Sequence, residues 1–361
     1  MPYIFSIGQG IPKYTISQDQ VKVFIKHIFP FSERKWSKIL PIFDNAAIHE
    51  RQLAVGEEWL KKDHTFAEKN KKYQKYALQY ALNAVDHCLT NENMLSEDIP
   101  YEAIDMIMFI SSTGISTPSL DAFVMNERPF RNDVVRMPLW GLGCSGGTAG
   151  LARASDWLIA HPEKLALVIG CELCSLTFQK NDLKMSNVVG TALFGDGVAA
   201  ALVAGDRSPY LTKRRGIVPK IMQTSCYTAE DSLQVMGWEV TNQGFEVIFS
   251  KSIPKRVKTI WKEHLTTFLN EMNVQKGNIH SFIAHPGGRK VLEAMEHALD
   301  ISREKLHHSY NILKSHGNMS SATVLYVLKA WMHEEISRRE KSILSSLGPG
   351  FSSNLILVEW D

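Results

Sequence analysis

The chain has little of several features that define specialised classes of protein. Its 361 residues include 5 cysteines, an odd and sparse set for a disulfide scaffold. The 40 basic and 38 acidic residues leave a net charge of only +2, which requires neither nucleic acid nor an anionic membrane as partner. We therefore expect free thiols, a cytoplasmic protein and no nucleic-acid partner.

Long hydrophobic runs are also missing. The stretch that comes nearest to one, "VVGTALFGDGVAAALVAG", is interrupted by Asp196 and by glycines, so we expect no segment within the membrane. The opening "MPYIFSIGQGIPKYT" has neither a basic start nor a long apolar stretch, so we expect no signal peptide. The length predicts two domains or one large duplicated one.

Strand-like and helix-like patterns alternate along the chain. Residues 64–88 carry Tyr, Ala and Val at three-to-four spacing, which predicts a helix. The runs "MIMFIS", "LALVIG" and "VAAALVAG" predict buried strands, and "GTAGLARASDWLIAH" and "RKVLEAMEHAL" predict helices. This alternation indicates an α/β fold. The polar stretch 205–220 suggests a division into residues 1–208 and 209–361.

The two parts of the chain share features in one order. "FISSTG" begins at Phe109 and "FIAHPGG" at Phe282, 173 residues later. Cys144 and Asn318, 174 residues apart, each precede a predicted helix and follow glycine. "LFGDGVAAALV" and "LGPGFSSNLILV" are both a glycine turn that leads into a strand. The repeat predicts duplicated halves that face each other.

Cys144 is the first candidate for chemistry, because it lies among the glycines of "WGLGCSGGTAG". At the start of a helix, backbone N–H groups and the helix dipole favour a thiolate, which predicts a nucleophile with a lowered pKa. The glycines would let a ligand approach the backbone. The alternative is a small buried cysteine in a glycine-rich packing site.

His285 and Asn318 are the second and third candidates. His285 follows a predicted strand in "SFIAHPGG", and a neutral imidazole there could pair with a thiol or donate to a developing oxyanion. The amide of Asn318 can donate hydrogen bonds to a carbonyl that becomes an enolate. The alternatives are a histidine that caps a turn and an asparagine helix cap. A thiol protease also fits these residue types.

Several segments together resemble the type III polyketide synthases, the chalcone synthase-like family. They are "GCSGGTAGLARA", "ALFGDGVAA", "AHPGG", "GNMSSATVLYVL" and "LGPGFSSNLILV", in the family's order. The resemblance implies a thiolase fold, with two pseudo-symmetric α/β halves in a five-layer αβαβα arrangement, and a homodimer. It further implies an acyltransferase that condenses malonyl-CoA onto a Cys-bound acyl starter.

The resemblance also assigns roles to individual residues. Cys144 takes the place of the nucleophile, and His285 and Asn318 take the other two catalytic places. The remaining positions are implied to bind substrate: Phe194 as a gatekeeper, Cys174 and Thr177 in the cavity wall, Gly350 on a bordering loop, Gly287 and Gly288 beside His285, Thr117 at the partner subunit's cavity, and Lys38 at CoA.

The chain departs from the family pattern at the cavity and at the CoA site. Val247 stands where plant members have a second gatekeeping Phe, and Thr117 stands where they have Met. Pro41 and Asn45 replace two basic residues that bind CoA phosphates, which leaves Lys38. Smaller side chains predict a roomier cavity, so we expect a long-chain fatty acyl-CoA starter and alkylpyrone or alkylresorcinol products.

The implied reaction uses acyl-CoA and malonyl-CoA as substrates and needs no cofactor and no metal. The single pair Cys171 and Cys174 is too weak a pattern for a metal site. Two alternatives stay open at this point. One is a ketoacyl synthase III-like enzyme that performs a single condensation, and the other is a non-catalytic thiolase-fold dimer that binds acyl chains.

Overall fold

The computed structural model describes residues 1–361, and most of its strands join one mixed sheet. The strands are β1 (Tyr3–Gly10), β2 (Tyr14–Ser17), β3 (Glu50–Leu53), β4 (Met106–Ser111), β5 (Val135–Trp140), β6 (Leu165–Leu173), β7 (Asp196–Ala204), β8 (Pro219–Thr228), β9 (Met236–Thr241), β10 (Gly244–Phe249), β11 (Ile279–Ala284), β12 (Lys341–Gly348) and β13 (Ser352–Trp360).

Helices connect these strands and cover the sheet. They are α1 (Gln18–Ile28), α2 (Glu33–Asn45), α3 (Glu57–Leu60), α4 (Phe66–Leu89), α5 (Leu120–Glu127), α6 (Gly146–Ala160), α7 (Met185–Leu193), α8 (Ile253–Arg256), α9 (Lys262–Glu271), α10 (Arg289–Leu299), α11 (His307–His316) and α12 (Thr323–Met332). A π-helical turn, Val257–Trp261, joins α8 to α9.

The sheet shows the predicted duplication. Its nine strands follow the order β11-β12-β13-β8-β1-β7-β6-β4-β5. In the first half β4 pairs parallel with β6, and β6–β7 and β7–β1 are antiparallel. In the second half β11, β12, β13 and β8 repeat the same sequence of pairings. The halves meet where Tyr3 of β1 pairs with Lys220 of β8.

Helices α6 and α12 form the central layer between the two halves. Helix α6 packs on β4 and β6 of its own half and on β12 and β13 of the other, and α12 packs on β11, β12, β1 and β7. Helix α4 covers the outer face of the first half, where it contacts β1, β6 and β7. The hydrophobic cluster on the outside of the second half joins α9 and α10 to β11 and β12. This stack confirms the predicted five-layer αβαβα fold.

Local sequence signals set the bounds of the predicted elements. The helix predicted at 64–88 spans Phe66–Leu89, because Thr65 and Glu68 form a capping box at its start. The helix "RKVLEAMEHAL" corresponds to α10. The α-helix after Cys144 begins only at Gly146, and Cys144 itself lies in a preceding 3₁₀ turn, Gly143–Ser145. The division at residues 208 and 209 stays a prediction.

Candidate active site

Cys144 and Asn318 lie side by side although they come from opposite halves. Cys144 precedes α6, and Asn318 lies between α11 and α12. The Cys144 Sγ atom is 3.8 Å from Oδ1 and 3.9 Å from Nδ2 of Asn318. The backbone holds Asn318 in place from both sides: its N–H donates to the carbonyl of Leu193, and its carbonyl accepts from the N–H of Gly195.

The glycines around Cys144 serve close packing of the two halves. A Cβ on Gly147 would overlap the carbonyl oxygen of Ser321, in the turn that follows Asn318. A Cβ on Gly143 would lie 2.8 Å from Cδ of Pro349, in the glycine loop before β13. The expectation that these glycines make room for a ligand is therefore wrong for these two positions. They let the loops that carry Cys144 and Asn318 approach each other.

The side-chain amide of Asn318 has a fixed orientation. The Ser320 N–H donates to Oδ1 at 2.8 Å, and Nδ2 donates to the carbonyl of Gly287 at 3.3 Å. The amide carries two N–H donors. One donates to Gly287, and the other lies beside the Cys144 sulfur, 3.9 Å from Nδ2, within reach of a ligand bound there.

His285 directly follows β11 and is buried, with only 2% of its surface exposed. Neither ring nitrogen has a hydrogen-bond partner. Burial lowers the pKa of the imidazole to about 3, so the ring is neutral at pH 7. Gly287 connects His285 to Asn318, because its N–H donates to the His285 carbonyl and its own carbonyl accepts from Asn318 Nδ2. The unpaired nitrogens leave a donor and an acceptor for a substrate.

Burial and hydrogen bonds shift the pKa of the Cys144 thiol in opposite directions. Burial raises its pKa to about 11, and the negative charge of Glu172 acts in the same direction, whereas hydrogen bonds with Ser320 and Asn318 lower it. The expected lowering of the thiol pKa is therefore not found, because desolvation outweighs the start of the helix. In the resting protein Cys144 is therefore a thiol, and His285 is a neutral imidazole.

Glu172 is a residue of this region that the sequence analysis missed. It is fully buried in β6 and accepts hydrogen bonds from Ser112, Thr113 and Ser321. Burial raises the pKa of its carboxyl group, although all of these hydrogen bonds lower it. Ser321 belongs to the second half, so the carboxylate ties the two halves together next to Asn318. A charged residue within the apolar run "LALVIGCEL" was the signal that could have indicated it.

An apolar cavity of about 70 Å³ brings together four of the predicted substrate-binding residues. They are Cys174, Thr177, Phe194 and Val247. The rest of the apolar lining is contributed by Ile16, Val21, Phe24, Leu53, Leu60, Phe178 and Trp238. The lining does not include Cys144, His285 or Asn318. Phe194 connects the two regions, because it lines the cavity and forms a parallel bridge with Asn318.

Trp238 changes the expectation of a roomier cavity at Val247. In the β9–β10 hairpin, Val247 pairs directly with Trp238. The Trp238 ring lies 5.8 Å from the ring of Phe194, which also stacks on Phe249 at 5.6 Å. An aromatic side chain therefore occupies the wall next to the small Val247. Trp238 is not among the residues predicted from the sequence, because its place in the wall follows from the register of the hairpin.

The other predicted substrate-binding residues lie outside the lining of this cavity. Gly350 has φ +67° and is buried before β13, with Leu233 as neighbour. Gly288 precedes α10. Lys38 is exposed on α2, and Thr117 is exposed on the loop between β4 and α5.

The pair Cys171 and Cys174 is divided between two environments. Cys171 Sγ contacts the carbonyl oxygen of Ala77 in α4, whereas Cys174 lines the cavity. Burial raises the pKa of both thiols. As for membranes, none of the helices combines the length and apolarity that a membrane span requires.

Comparison with known proteins finds matches to one family over almost the whole chain. Residues 2–207 match the N-terminal domain of chalcone and stilbene synthases, and residues 222–359 match the C-terminal domain. A putative chalcone synthase of Bacillus subtilis (strain 168) is 44% identical and covers 100% of this chain and 99% of its own.

Two further proteins extend the comparison. The 1,3,6,8-tetrahydroxynaphthalene synthase of Streptomyces peucetius subsp. caesius is 35% identical and covers 99% of this chain and 93% of its own. The crystal structure of 1,3,6,8-tetrahydroxynaphthalene synthase from Streptomyces coelicolor A3(2), described as a bacterial type III polyketide synthase, superimposes with a TM-score of 0.90. It is 24% identical and covers 99% of both chains, so it supports the fold.

Proposed function

The chain belongs to the chalcone and stilbene synthase family as a type III polyketide synthase, and we propose that it condenses malonyl-CoA repeatedly onto a Cys144-bound acyl starter. The proposed starter is a long-chain fatty acyl-CoA, and the proposed products are alkylpyrones or alkylresorcinols. The observation that carries the proposal is the meeting of Cys144 and Asn318 across the two halves, with Phe194 linking them to an apolar cavity.

Loading begins when the Cys144 sulfur attacks the thioester carbonyl of the acyl-CoA. Because burial keeps the thiol protonated, the attack requires a base, and the neutral imidazole of His285 is the candidate. The carbon–sulfur bond to CoA breaks, and the CoA sulfur takes the proton that the imidazole accepted. The product is an acyl thioester on Cys144 and free CoA.

Extension follows when malonyl-CoA loses carbon dioxide and its thioester becomes an enolate. His285 and Asn318 both have an N–H group available for the enolate oxygen. These donors stabilise charge that develops only near the transition state. The enolate carbon attacks the acyl group on Cys144, which frees the sulfur. Return of the extended chain from CoA to Cys144 allows the next cycle.

The lining of the cavity supports an aliphatic starter. Ile16, Val21, Phe24 and Leu60 present apolar surface to the same cavity as Phe194. A hydrocarbon chain gains free energy by leaving water for such a surface, about 0.8 kcal/mol for each CH₂ group buried. Trp238 narrows the cavity beside Val247, so we propose that the acyl chain runs along the α1 side of the cavity, where Val21 and Phe24 lie.

The edge of the large sheet supports the proposed homodimer. Strand β5 is the terminal strand of the sheet and is largely exposed, and Trp140 at its end keeps 53% of its surface exposed. The large apolar residues Ile115, Phe123 and Val135 nearby are exposed as well. Exposed apolar side chains on an unpaired edge strand are typical of a protein interface. Thr117 lies on the same side, in the loop after β4.

We place the enzyme in the cytoplasm, where thiols stay reduced and CoA esters are available. All five cysteines are free thiols, which supports a reducing compartment.

Product analysis tests the proposed function. The purified protein is incubated with malonyl-CoA and acyl-CoAs of graded chain length, and the products are identified by mass. We expect several extensions per starter and the highest turnover with long aliphatic starters. A single extension that depends on acyl carrier protein would favour the ketoacyl synthase III-like alternative. The absence of turnover with every acyl-CoA would favour the acyl-binding alternative.

A further inference from the structure

Three side chains that could bind a metal meet at the end of the α11–α12 hairpin that is remote from Asn318. Nε2 of His307 lies 2.9 Å and Nε2 of His308 2.7 Å from the same oxygen, Oε1 of Glu334. The three ligand atoms all lie within 4.8 Å of one another. His307 and His308 are the first residues of α11, and Glu334 follows α12. We call this group the His307–His308–Glu334 cluster.

The hydrogen bond on the other side of the His307 ring determines where its lone pair points. Nδ1 lies 2.7 Å from the carbonyl oxygen of Glu304, which can only accept, so Nδ1 carries the proton. In a neutral ring the lone pair of Nε2 then faces the carboxylate oxygen of Glu334. Two acceptors at 2.9 Å repel each other unless a proton or a metal cation lies between them. Metal-bound histidines commonly donate their second ring N–H to a backbone carbonyl in this way.

Trp331 holds both imidazoles in position. Its ring is nearly perpendicular to that of His308 and steeply inclined to that of His307, with centroids 4.7 Å away in each case. Trp331 is buried, so the edge on which the rings pack is rigid. Ligands that are already locked in place lose little entropy when an ion binds.

We propose that His307, His308 and Glu334 bind one zinc ion, with water in the open position. Two imidazoles and a carboxylate suit zinc and other late first-row divalent ions, whereas magnesium and calcium prefer oxygen ligands. Tetrahedral zinc places its ligand atoms about 3.3 Å apart. The nitrogens therefore move away from Oε1 by only a few tenths of an ångström. The exposed side of Glu334 gives the ion access to water.

The proposed zinc ion stabilises the helices that carry Asn318 and takes no part in the reaction. Helix α11 ends at His316, two residues before Asn318, and α12 begins five residues after it. Each helix of 10 residues is about 15 Å long, so the cluster lies about one helix length from the site. Zinc closes the chain between His307 and Glu334 into a loop that contains Asn318. It therefore stabilises the hairpin on which Asn318 is presented.

The proposal is tested on the untagged full-length protein. The protein is first treated with a chelator to remove bound metal and is then titrated with zinc. The cluster variants are His308→Gln and Glu334→Gln. His161→Gln is a matched control, because His161 also packs on a tryptophan, Trp157 at 4.4 Å, but has no carboxylate partner. All proteins carry Cys226→Ser, which removes the exposed thiol. Bound zinc is counted by elemental analysis, and the midpoint of thermal unfolding is followed with and without zinc.

We expect one zinc ion per chain and a higher unfolding midpoint with zinc for the parent protein and for His161→Gln. Each cluster variant should bind zinc at least about tenfold more weakly and lose the rise in the midpoint. Equal zinc binding by the parent and Glu334→Gln would overturn the proposal, and so would the absence of binding. Cobalt provides a second measurement, because its absorption spectrum distinguishes nitrogen and oxygen ligands from thiolates. None of these readouts depends on polyketide synthesis.

Discussion

The Sγ atom of Cys144 lies 3.8 Å from Oδ1 of Asn318, although 174 residues separate the two along the chain. Replacing Cys144 and replacing Asn318 should therefore affect different steps of the reaction. Cys144→Ala should abolish loading of the acyl starter and leave the fold intact, because the sulfur attacks the thioester. Mass spectrometry of the intact protein after incubation with an acyl-CoA detects the acyl group, and circular dichroism checks the fold. An acylated Cys144→Ala protein would contradict the assignment.

Asn318→Ala should keep loading and lose condensation. The variant lacks one of the two donors proposed for the enolate oxygen, which typically lowers the rate about 10²- to 10³-fold. Decarboxylation of malonyl-CoA measures this step without the second substrate. Condensation at the parent rate would show that the amide does not contact the enolate.

His285 should make folding stability depend on pH. Burial lowers its pKa in the folded protein to about 3, whereas the unfolded chain has the ordinary value of about 6.5. Between these two values the unfolded chain binds more protons, so the free energy of unfolding falls as the pH is lowered. The slope from this one group approaches about 1.4 kcal/mol per pH unit.

Comparison of the parent protein with His285→Gln isolates this contribution. His264 and His316, which also have lowered pKa values, are present in both proteins and cancel in the difference. Urea unfolding at several values between pH 7 and pH 5 provides the free energies. Parallel pH dependence in the two proteins would show that His285 is solvated or paired in the folded state.

Val247 should control the length of the starter. In Val247→Phe, a third large ring beside Trp238 and Phe194 would narrow the cavity, and turnover should shift towards shorter acyl-CoAs. Trp238→Ala should have the opposite effect, because it removes the ring that narrows the same wall. Competition between acyl-CoAs of different length gives the ratio of kcat/KM values. If both variants keep the chain-length preference of the parent protein, the acyl chain does not bind beside Val247 and Trp238.

Gly147→Ala should destabilise the protein although alanine favours helices. The added methyl group would overlap the Ser321 carbonyl oxygen, and relief of such a clash typically costs about 1–3 kcal/mol. Gly277→Ala is the control, since nothing lies within 4 Å of its added Cβ and φ is not positive. Urea unfolding measures both. A stability of Gly147→Ala equal to that of the control would show that the two loops are less tightly packed.

The proposed dimer interface can be tested with charges at the sheet edge. Ile115→Glu and Val135→Glu should shift the protein from dimer to monomer, because a buried unpaired carboxylate is costly. Val240→Glu is the control, since Val240 is 59% exposed but lies on the β9–β10 hairpin. Light scattering after size-exclusion chromatography measures the mass. A monomeric parent protein would refute the interface outright.

Local sequence patterns predicted the elements that local preferences control. The spacing of apolar residues predicted α4, α10 and the central strands, and the repeat predicted the matching topology of the two halves. The glycine-flanked Cys144 and the residues His285 and Asn318 could be proposed from their places after strands and before helices. These inferences need only residues that are neighbours along the chain.

The tertiary structure decided what depends on contacts between remote segments. The register of the β9–β10 hairpin places Trp238 opposite Val247, so the cavity is narrower than the side chain at position 247 alone suggests. Desolvation raises the pKa of the Cys144 thiol above its ordinary value, in spite of its place before a helix. Ser321 reaches Glu172 only because the two halves pack face to face. Distances and burial between remote residues follow from packing, which a pattern along one chain does not contain.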